Sequence, residues 1–463
     1  MPKHVKRTPF FRDILLILIC FIATVIGYRH FHKFDAKTFL ENSVLKEKSF
    51  NTEVIEITSE KGLRSYLLTD TTNPVISVHF IFKNAGTSSE ADSDQGLTTI
   101  LSSILLDGAG RYSSQSFKEL LEENAITISY KTTIDDFYGE LTYIKDKQNL
   151  AIDLLRESLL VPHLKLSDLN RIKEEMNIAQ KSQLENPSRF LSLEFNKEVY
   201  GVHPYANNPL GNQNTVKNIT KQKLKNYLKN NFIQDNLIIG IAGDITKEDA
   251  KTLIDNIFSY LPASSSSLRE ETTKAPISFD THQKLIDRNI PQNITNFTSP
   301  GVCRNDPDFY PLYIANHILG GGQMQTRLFQ LTRENEGLTY GAYSYLSIQD
   351  QSCTIKGGFA TSSANMPKMI NIIQTEWQKM GEYGVTQEEL NQAKNYLISS
   401  FNLRFTSISE IAQQLALMQK QNLGTNFLKE RNQLVQNVQL QDVNNAAKVY
   451  FNNHNLIFVS IGK

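Results

Sequence analysis

The sequence predicts a layered α+β fold built from two similar halves joined by a linker. Three observations carry this. Strand-like and helix-like segments are interleaved without strict strand–helix–strand alternation, which points to a layered α+β arrangement rather than a doubly wound sheet. A serine- and proline-rich stretch between Pro262 and Pro276 interrupts the chain near its middle, a composition that forms linkers rather than core. The two halves also end alike, in Asn236-Leu-Ile-Ile-Gly-Ile-Ala-Gly243 and Asn455-Leu-Ile-Phe-Val-Ser-Ile-Gly462. Each is an apolar strand closed by glycine and preceded by an amphipathic helix, the mark of an internal repeat.

Size and charge bound the function. The chain has 463 residues and 40% hydrophobic content, enough for roughly two or three domains with cores. Basic and acidic residues balance at 48 each. That argues against a nucleic-acid binder and gives no sign of a wide field, but it suits a peptide-binding chamber.

In the first half, Val75-Ile-Ser-Val-His-Phe-Ile-Phe82 alternates and is rich in β-branched residues, so it reads as a strand. Leu97, Ile100, Leu101, Ile104 and Leu105 fall at helical spacing and predict a helix from Gly96 to Leu106. A capped helix follows over residues 116–124, a strand over 126–131, and long helices over 147–160 and 167–183. In the second half, Gly320-Gly321-Gly322 is expected to stop a helix with positive φ. Leu328 and Leu331 give the next helix an apolar face, and Gly337 is placed to cap its end.

The N-terminus reads as a membrane signal. Lys3, His4, Lys6, Arg7 and Arg12 precede the apolar run from Ile14 to Tyr28, which is short against the roughly 17–25 residues of a spanning helix. Phe10 and Phe11 extend it if Arg12 and Asp13 snorkel. The basic flank puts the N-terminus in the cytoplasm and the rest outside. An uncleaved anchor is the reading adopted; a signal peptide cut near Tyr28 is the alternative. The cysteines are Cys20, Cys303 and Cys353. Cys303 and Cys353 would pair in an oxidising compartment, but the plainer expectation is two buried free thiols, because nothing local enforces pairing. Asn218, Asn293 and Asn296 open Asn-x-Thr triplets and are expected at polar surface.

The segment from His317 to Tyr340, His-Ile-Leu-Gly-Gly-Gly-Gln-Met-Gln-Thr-Arg-Leu-Phe-Gln-Leu-Thr-Arg-Glu-Asn-Glu-Gly-Leu-Thr-Tyr, resembles the C-terminal signature of the pitrilysin/insulinase (inverzincin) metallopeptidase family. There a helix ends in a glycine turn, a short helix carries Arg-Leu-Phe and a later arginine, and Gly-Leu-x-Tyr enters a strand. Gly96-Leu97 with its helix, His203-Pro-Tyr205, Gly211 and the helix before Asn186-Pro187 support the match. The likeness covers nearly everything from about Asn51 to the end. It implies two pitrilysin/insulinase-like α/β sandwich domains forming a clamshell half. Their expected bounds are 51–262 and 283–463, with a linker at 263–282, a cytoplasmic tail at 1–9, an anchor at 10–28 and a tether at 29–50.

Active members of the family hold zinc through His-x-x-Glu-His on the first half's helix and a glutamate on a later helix; the motif's own glutamate activates water. Aligned on Gly96-Leu97, the first histidine position is Thr99, the glutamate is Ser102 and the second histidine is Ser103. Counting back from Asn186-Pro187 places the distant glutamate at Ala179, although Glu174 and Glu175 lie nearby. No His-x-x-x-His pair occurs among the nine histidines, and hydroxyls do not hold Zn²⁺ at neutral pH. His203, in its His-Pro-Tyr setting, is expected to play a structural hydrogen-bonding role. The family's other requirement is retained. Arg333 and Tyr340 match the pair that orients substrate and stabilises the oxyanion; both donate hydrogen bonds to developing negative charge. The bland alternative is that Arg333 pairs with Glu336 and Tyr340 is a core aromatic. The resemblance therefore implies a non-peptidase homologue that binds no zinc itself. It would pair with a zinc-bearing homologous subunit, act in trans on peptide or unfolded substrate, and sit in a bacterial inner membrane with its domains in the periplasm. A membrane-tethered scaffold, and an active zinc peptidase with an unrecognised site, are the other readings.

Overall fold

The computed structural model describes residues 53–265, 273–322, 324–451 and 455–463; the apolar N-terminal run lies outside them. Among the described residues no helix is long and apolar enough to cross a membrane.

The first half opens with β1 (Val54–Thr58), β2 (Arg64–Thr69) and β3 (Val75–Phe82), then α1 (Leu97–Ile104), α2 (Ser114–Glu123), β4 (Thr127–Thr132) and β5 (Phe137–Ile144). It continues through α3 (Gln148–Leu160), α4 (Leu166–Glu185), α5 (Pro187–Tyr200), α6 (Gln213–Asn218) and α7 (Lys221–Asn231), and closes with β6 (Leu237–Gly243) and α8 (Lys247–Phe258). The second half holds β7 (His282–Asp287), β8 (Asn293–Pro300), α9 (Phe309–Asn316), a π-helical turn His317–Gly321 and a short α10 (Arg327–Phe329) that continues as a π-turn to Asn335. Then come β9 (Ala342–Gln349), β10 (Ser352–Thr361), α11 (Met366–Tyr383), α12 (Gln387–Ser399), α13 (Ile408–Lys420), α14 (Phe427–Asn437), α15 (Leu440–Tyr450) and β11 (Ile457–Gly462).

The repeat read from the strand ends extends to the whole topology. The first sheet runs β1-β2-β6-β3-β5-β4 and the second β7-β11-β8-β10-β9. Removing β1 superposes one order on the other. The closing strands β6 and β11 each lie parallel to one neighbour, β2 or β7, and antiparallel to the other, β3 or β8. One face of each sheet packs on its own helices. Phe80, Phe82, Leu101, Leu155 and Phe258 centre the first core; Phe297, Trp377, Phe451 and Phe458 centre the second.

The opposite faces are covered by exchange. α5, from the first half, lays Leu191, Phe195 and Val199 against Ile457, Val459 and Ile461 of β11. These are one helical stripe at four-residue spacing and one strand face at two-residue spacing. Burying each of these side chains contributes about 1.5–3 kcal/mol as an upper estimate. α13, from the second half, crosses onto β2, β3 and β6 of the first sheet. Gly240 of β6 makes that approach feasible, since a Cβ there would lie 2.3 Å from Ala412 O and 2.5 Å from Ala416 N. The two halves are therefore locked by reciprocal helices, beyond the linker.

Three local expectations change. Cys303 and Cys353 form a disulfide with Cα atoms 5.1 Å apart. The β8–β10 pairing continues to Gly301 N–H donating to Cys353 O and so brings together residues 50 apart in sequence. Gly320–Gly322 do not adopt positive φ. Gly322 is extended at φ −85°, and Gly320 instead allows contact with β9, because a Cβ there would meet Ser344 Oγ at 2.6 Å. Asn293 is buried rather than at the surface; its amide donates to the Lys463 carbonyl and accepts from the Lys463 N–H, tying down the chain end. Gly337 does cap its helix, at φ +60°. Its N–H reaches Arg333 O and Leu338 N–H reaches Thr332 O, a nested pair of bonds that closes the π-turn.

Candidate functional site

The helix expected to carry a metal motif is α1. Its entry is fixed by Glu90, a buried carboxyl that accepts from Gly96 N–H, Thr98 N–H and Thr98 Oγ at 2.6–2.9 Å. Burial pushes Glu90 up to about 7 although these bonds oppose it. Gly96, at φ +97°, makes the turn into the helix.

On α1 the three hydroxyls are turned to backbone carbonyls. Thr99 Oγ1 donates to Pro209 O at 2.7 Å, and Ser102 Oγ and Ser103 Oγ both point back to Thr99 O. Residues 209–210, which Thr99 grips, are also held by α4: Gln180 donates to Leu210 O at 2.8 Å. α1 and α4 thus pack together with half-buried Ala179 on the segment between buried Met176 and Gln180. A methyl group supplies no ligand, and serine and threonine hydroxyls engaged as donors to carbonyls do not fit zinc. Among the described residues no group of three or more His, Cys, Asp or Glu side chains is placed to hold a metal.

The second half presents a different arrangement. Arg327 is bound to Glu389 through Nε and Nη2 at 2.7 and 2.8 Å, so this first arginine of the segment pins α10 to α12. It floors a cavity of about 300 Å³ beside the glycine turn, lined also by His317, Met324 and Tyr396. Arg333 is different. It is exposed, stacks over Phe329 at 5.1 Å and donates to Tyr340 O at 3.3 Å. Glu336, the carboxylate named as its alternative partner, is paired with Lys368 at 2.5 Å instead. Tyr340 is 80% exposed and so is no core aromatic. The π-turn and the Gly337 cap thus bring Arg333 beside the Tyr340 backbone, two residues ahead of β9, with both polar ends facing solvent.

His203 is buried and structural: Nδ1 accepts from Tyr205 N–H and Nε2 meets Thr273 O at 2.8 Å. Two polar clusters lie where the halves meet; no local pattern signals either, because in each α13 meets a residue 269 or 284 positions away. In one, Ser409 donates to Glu140 at 2.6 Å and lies 3.0 Å from His79 Nε2. The bond from His79 holds Glu140 down at about 2. Since the serine proton goes to the carboxylate, the imidazole donates to the serine oxygen, which is the wrong polarity for a serine nucleophile. In the other, Lys420 of α13 bridges Asp136 and Asp350, while Asp135 accepts from Tyr205 OH and from Asp350 N–H. Both clusters clamp α13 to the first half, and the second also holds the β9–β10 turn there.

Fold and site together define a class: a doubled α/β layer structure in which α1, the helix expected to carry a metal motif, presents hydroxyls bound to backbone carbonyls. Residues 66–210 match the family described as insulinase (peptidase family M16), and residues 218–397 match the peptidase M16 inactive domain. The chain belongs to this pitrilysin/insulinase family, as a homologue lacking His-x-x-Glu-His. The "Non-peptidase homolog YmxG" of Helicobacter pylori is 24% identical over 91% of this chain and 95% of its own length. An uncharacterized zinc protease YmxG of Bacillus subtilis is 24% identical over 85% of this chain and 95% of its own. A crystal structure of a peptidase M16 inactive domain from Pseudomonas fluorescens superposes with TM-score 0.81 at 25% identity, covering 88% of this chain and 97% of that one. A probable mitochondrial-processing peptidase subunit beta of Arabidopsis thaliana is 22% identical over 72% of this chain and 64% of its own length.

Proposed function

We propose that this chain is the non-catalytic subunit of a heteromeric zinc peptidase and supplies Arg333 and Tyr340 in trans to an active site whose zinc lies in a homologous partner. One observation supports the reading: the positions that the resemblance gives to zinc ligands hold Thr99, Ser102, Ser103 and Ala179, while Arg333 and Tyr340 are both exposed, with the Arg333 guanidinium beside the Tyr340 carbonyl. In a closed complex the guanidinium and phenol would donate to the oxyanion that forms as the partner's water attacks the peptide bond. Substrates would be unfolded peptide segments. The mitochondrial-processing peptidase beta relatives support a subunit role. The apolar N-terminal run supports a membrane tether. The Cys303–Cys353 bond supports an oxidising compartment such as the periplasm.

The test is reconstitution. The chain alone is expected to cleave no fluorogenic peptide, and mixing it with a zinc-bearing homologue should raise cleavage above the homologue's own rate. Arg333→Ala and Tyr340→Phe should each lower that rate by about 10²–10³-fold, the typical loss of one oxyanion donor, without altering thermal stability. Unchanged activity in both variants would sink the proposal. The competing scaffold reading, favoured by the non-peptidase name of the Helicobacter pylori relative, would gain if the mixture stayed inactive.

A further inference from the structure

Beyond Tyr340 the exposed aromatic surface continues. Tyr343 and Tyr345 alternate with buried Ala342 and Ser344 on β9, the outermost strand of its sheet. They are 52% and 48% exposed, a large apolar area for one strand face. Their rings stack with centroids 6.3 Å apart and planes 17° from parallel. The sheet makes room for them. Gly358 lies opposite Tyr343 in the β9–β10 register, and a Cβ at Gly358 would sit 3.1 Å from the Tyr343 hydroxyl. Lys356, opposite Tyr345, extends its ammonium over the Tyr200 ring at 5.1 Å. Burial raises the Tyr345 phenol above its ordinary value, and Tyr343 and Tyr200 add to the shift. α5 covers the same side of the sheet at β11 and β8 but leaves this outer corner open.

Resting on the subunit reading above, we infer that Tyr343 and Tyr345 form a ladder for an extended peptide segment carrying large apolar side chains at alternating positions. The argument is one of spacing. Successive same-side residues of an extended chain repeat about every 6.7 Å, which matches the 6.3 Å ring separation. Two neighbouring apolar side chains of a strand can then each lie on one tyrosine. A helix, whose turn rises about 5.4 Å, has no such register. Rigid tyrosines suit the role because they offer contact area with little side-chain freedom to lose. The ladder starts three residues after Tyr340, so a segment gripped there would run on towards the Arg333–Tyr340 pair.

The experiment measures binding, so it is independent of cleavage. A labelled unstructured peptide with leucine at every second position is titrated against the whole chain by fluorescence anisotropy. It is compared with a peptide of the same composition carrying its leucines in adjacent pairs. The alternating peptide is expected to bind about tenfold more tightly. The double variant Tyr343→Ala/Tyr345→Ala should erase that preference, and Tyr343→Phe/Tyr345→Phe should keep it. Equal binding of the two peptides, or a preference unchanged in the alanine variant, overturns the ladder and leaves the Arg333–Tyr340 reading intact. Ladder-dependent binding with no cleavage in the reconstituted mixture would do the reverse. If the alanine variant instead loses association with the zinc-bearing homologue while peptide binding stays, the face is a subunit contact and the inference fails.

Discussion

Replacing Lys420 with methionine tests the clamp between the halves. The Lys420 side chain is 13% exposed; its ammonium contacts Asp136, whose side chain is fully buried, and Asp350, whose side chain is a third exposed and lies 3.0 Å away. Burial disfavours the charge on Lys420, but Asp136, Tyr138 and Asp350 outweigh it and hold the lysine above its usual value. Removing it strands a buried carboxylate, which costs about 3–5 kcal/mol; losing the Asp350 contact adds only about 0–1 kcal/mol because it is screened. For a folded unit of roughly 400 residues this lowers Tm by about 4–7 °C. The loss depends on pH. Burial already raises Asp136 above the ordinary 3.8 against the pull of Lys420, and without Lys420 the shift grows. A carboxyl with a raised folded pKa binds its proton more tightly when folded. Its contribution is thus full below the unfolded value and lost as pH rises through the folded one. K420M is therefore expected to be weakest near pH 7 and to approach wild type towards about pH 4. Adding Asp136→Asn should restore most of the loss at pH 7. Calorimetry across that range measures all three proteins. A K420M protein that melts within about 1 °C of wild type at pH 7, or whose deficit ignores pH, refutes the reasoning.

Thr99→His/Ser102→Glu/Ser103→His/Ala179→Glu should create a site for one zinc ion, measured by calorimetric titration with zinc and metal analysis. A folded variant that binds none would show that one of the four positions is misassigned. Cys303→Ser/Cys353→Ser should cost about 2–4 kcal/mol, read from denaturant midpoints. Thiol labelling of the unreduced native protein at either cysteine would contradict the bond. Gly240→Val places a side chain where Ala412 O and Ala416 N lie within 2.5 Å. It should destabilise the α13 crossing by about 1–3 kcal/mol or more, visible as early amide exchange in α13; unchanged protection there would argue against the close approach.

What the sequence by itself determined is mostly local. Alternation in Val75–Phe82 set β3, the four-residue stripe at Leu97–Leu105 set α1, and the glycine-closed strands revealed the repeat; each depends on neighbours within a turn or a pleat. The absence of His-x-x-Glu-His was equally legible, because a motif on one helix has fixed spacing and can be searched for directly. Tertiary structure decided what depends on distant partners. The Cys303–Cys353 bond follows from the β8–β10 register, and Arg333 lies on Phe329 beside the Tyr340 carbonyl while Glu336 pairs with Lys368. The exchanged helices α5 and α13 had ordinary amphipathic patterns that state how much surface they bury but not whose. Hydrophobic periodicity specifies a face, and only the packed chain specifies the surface that meets it.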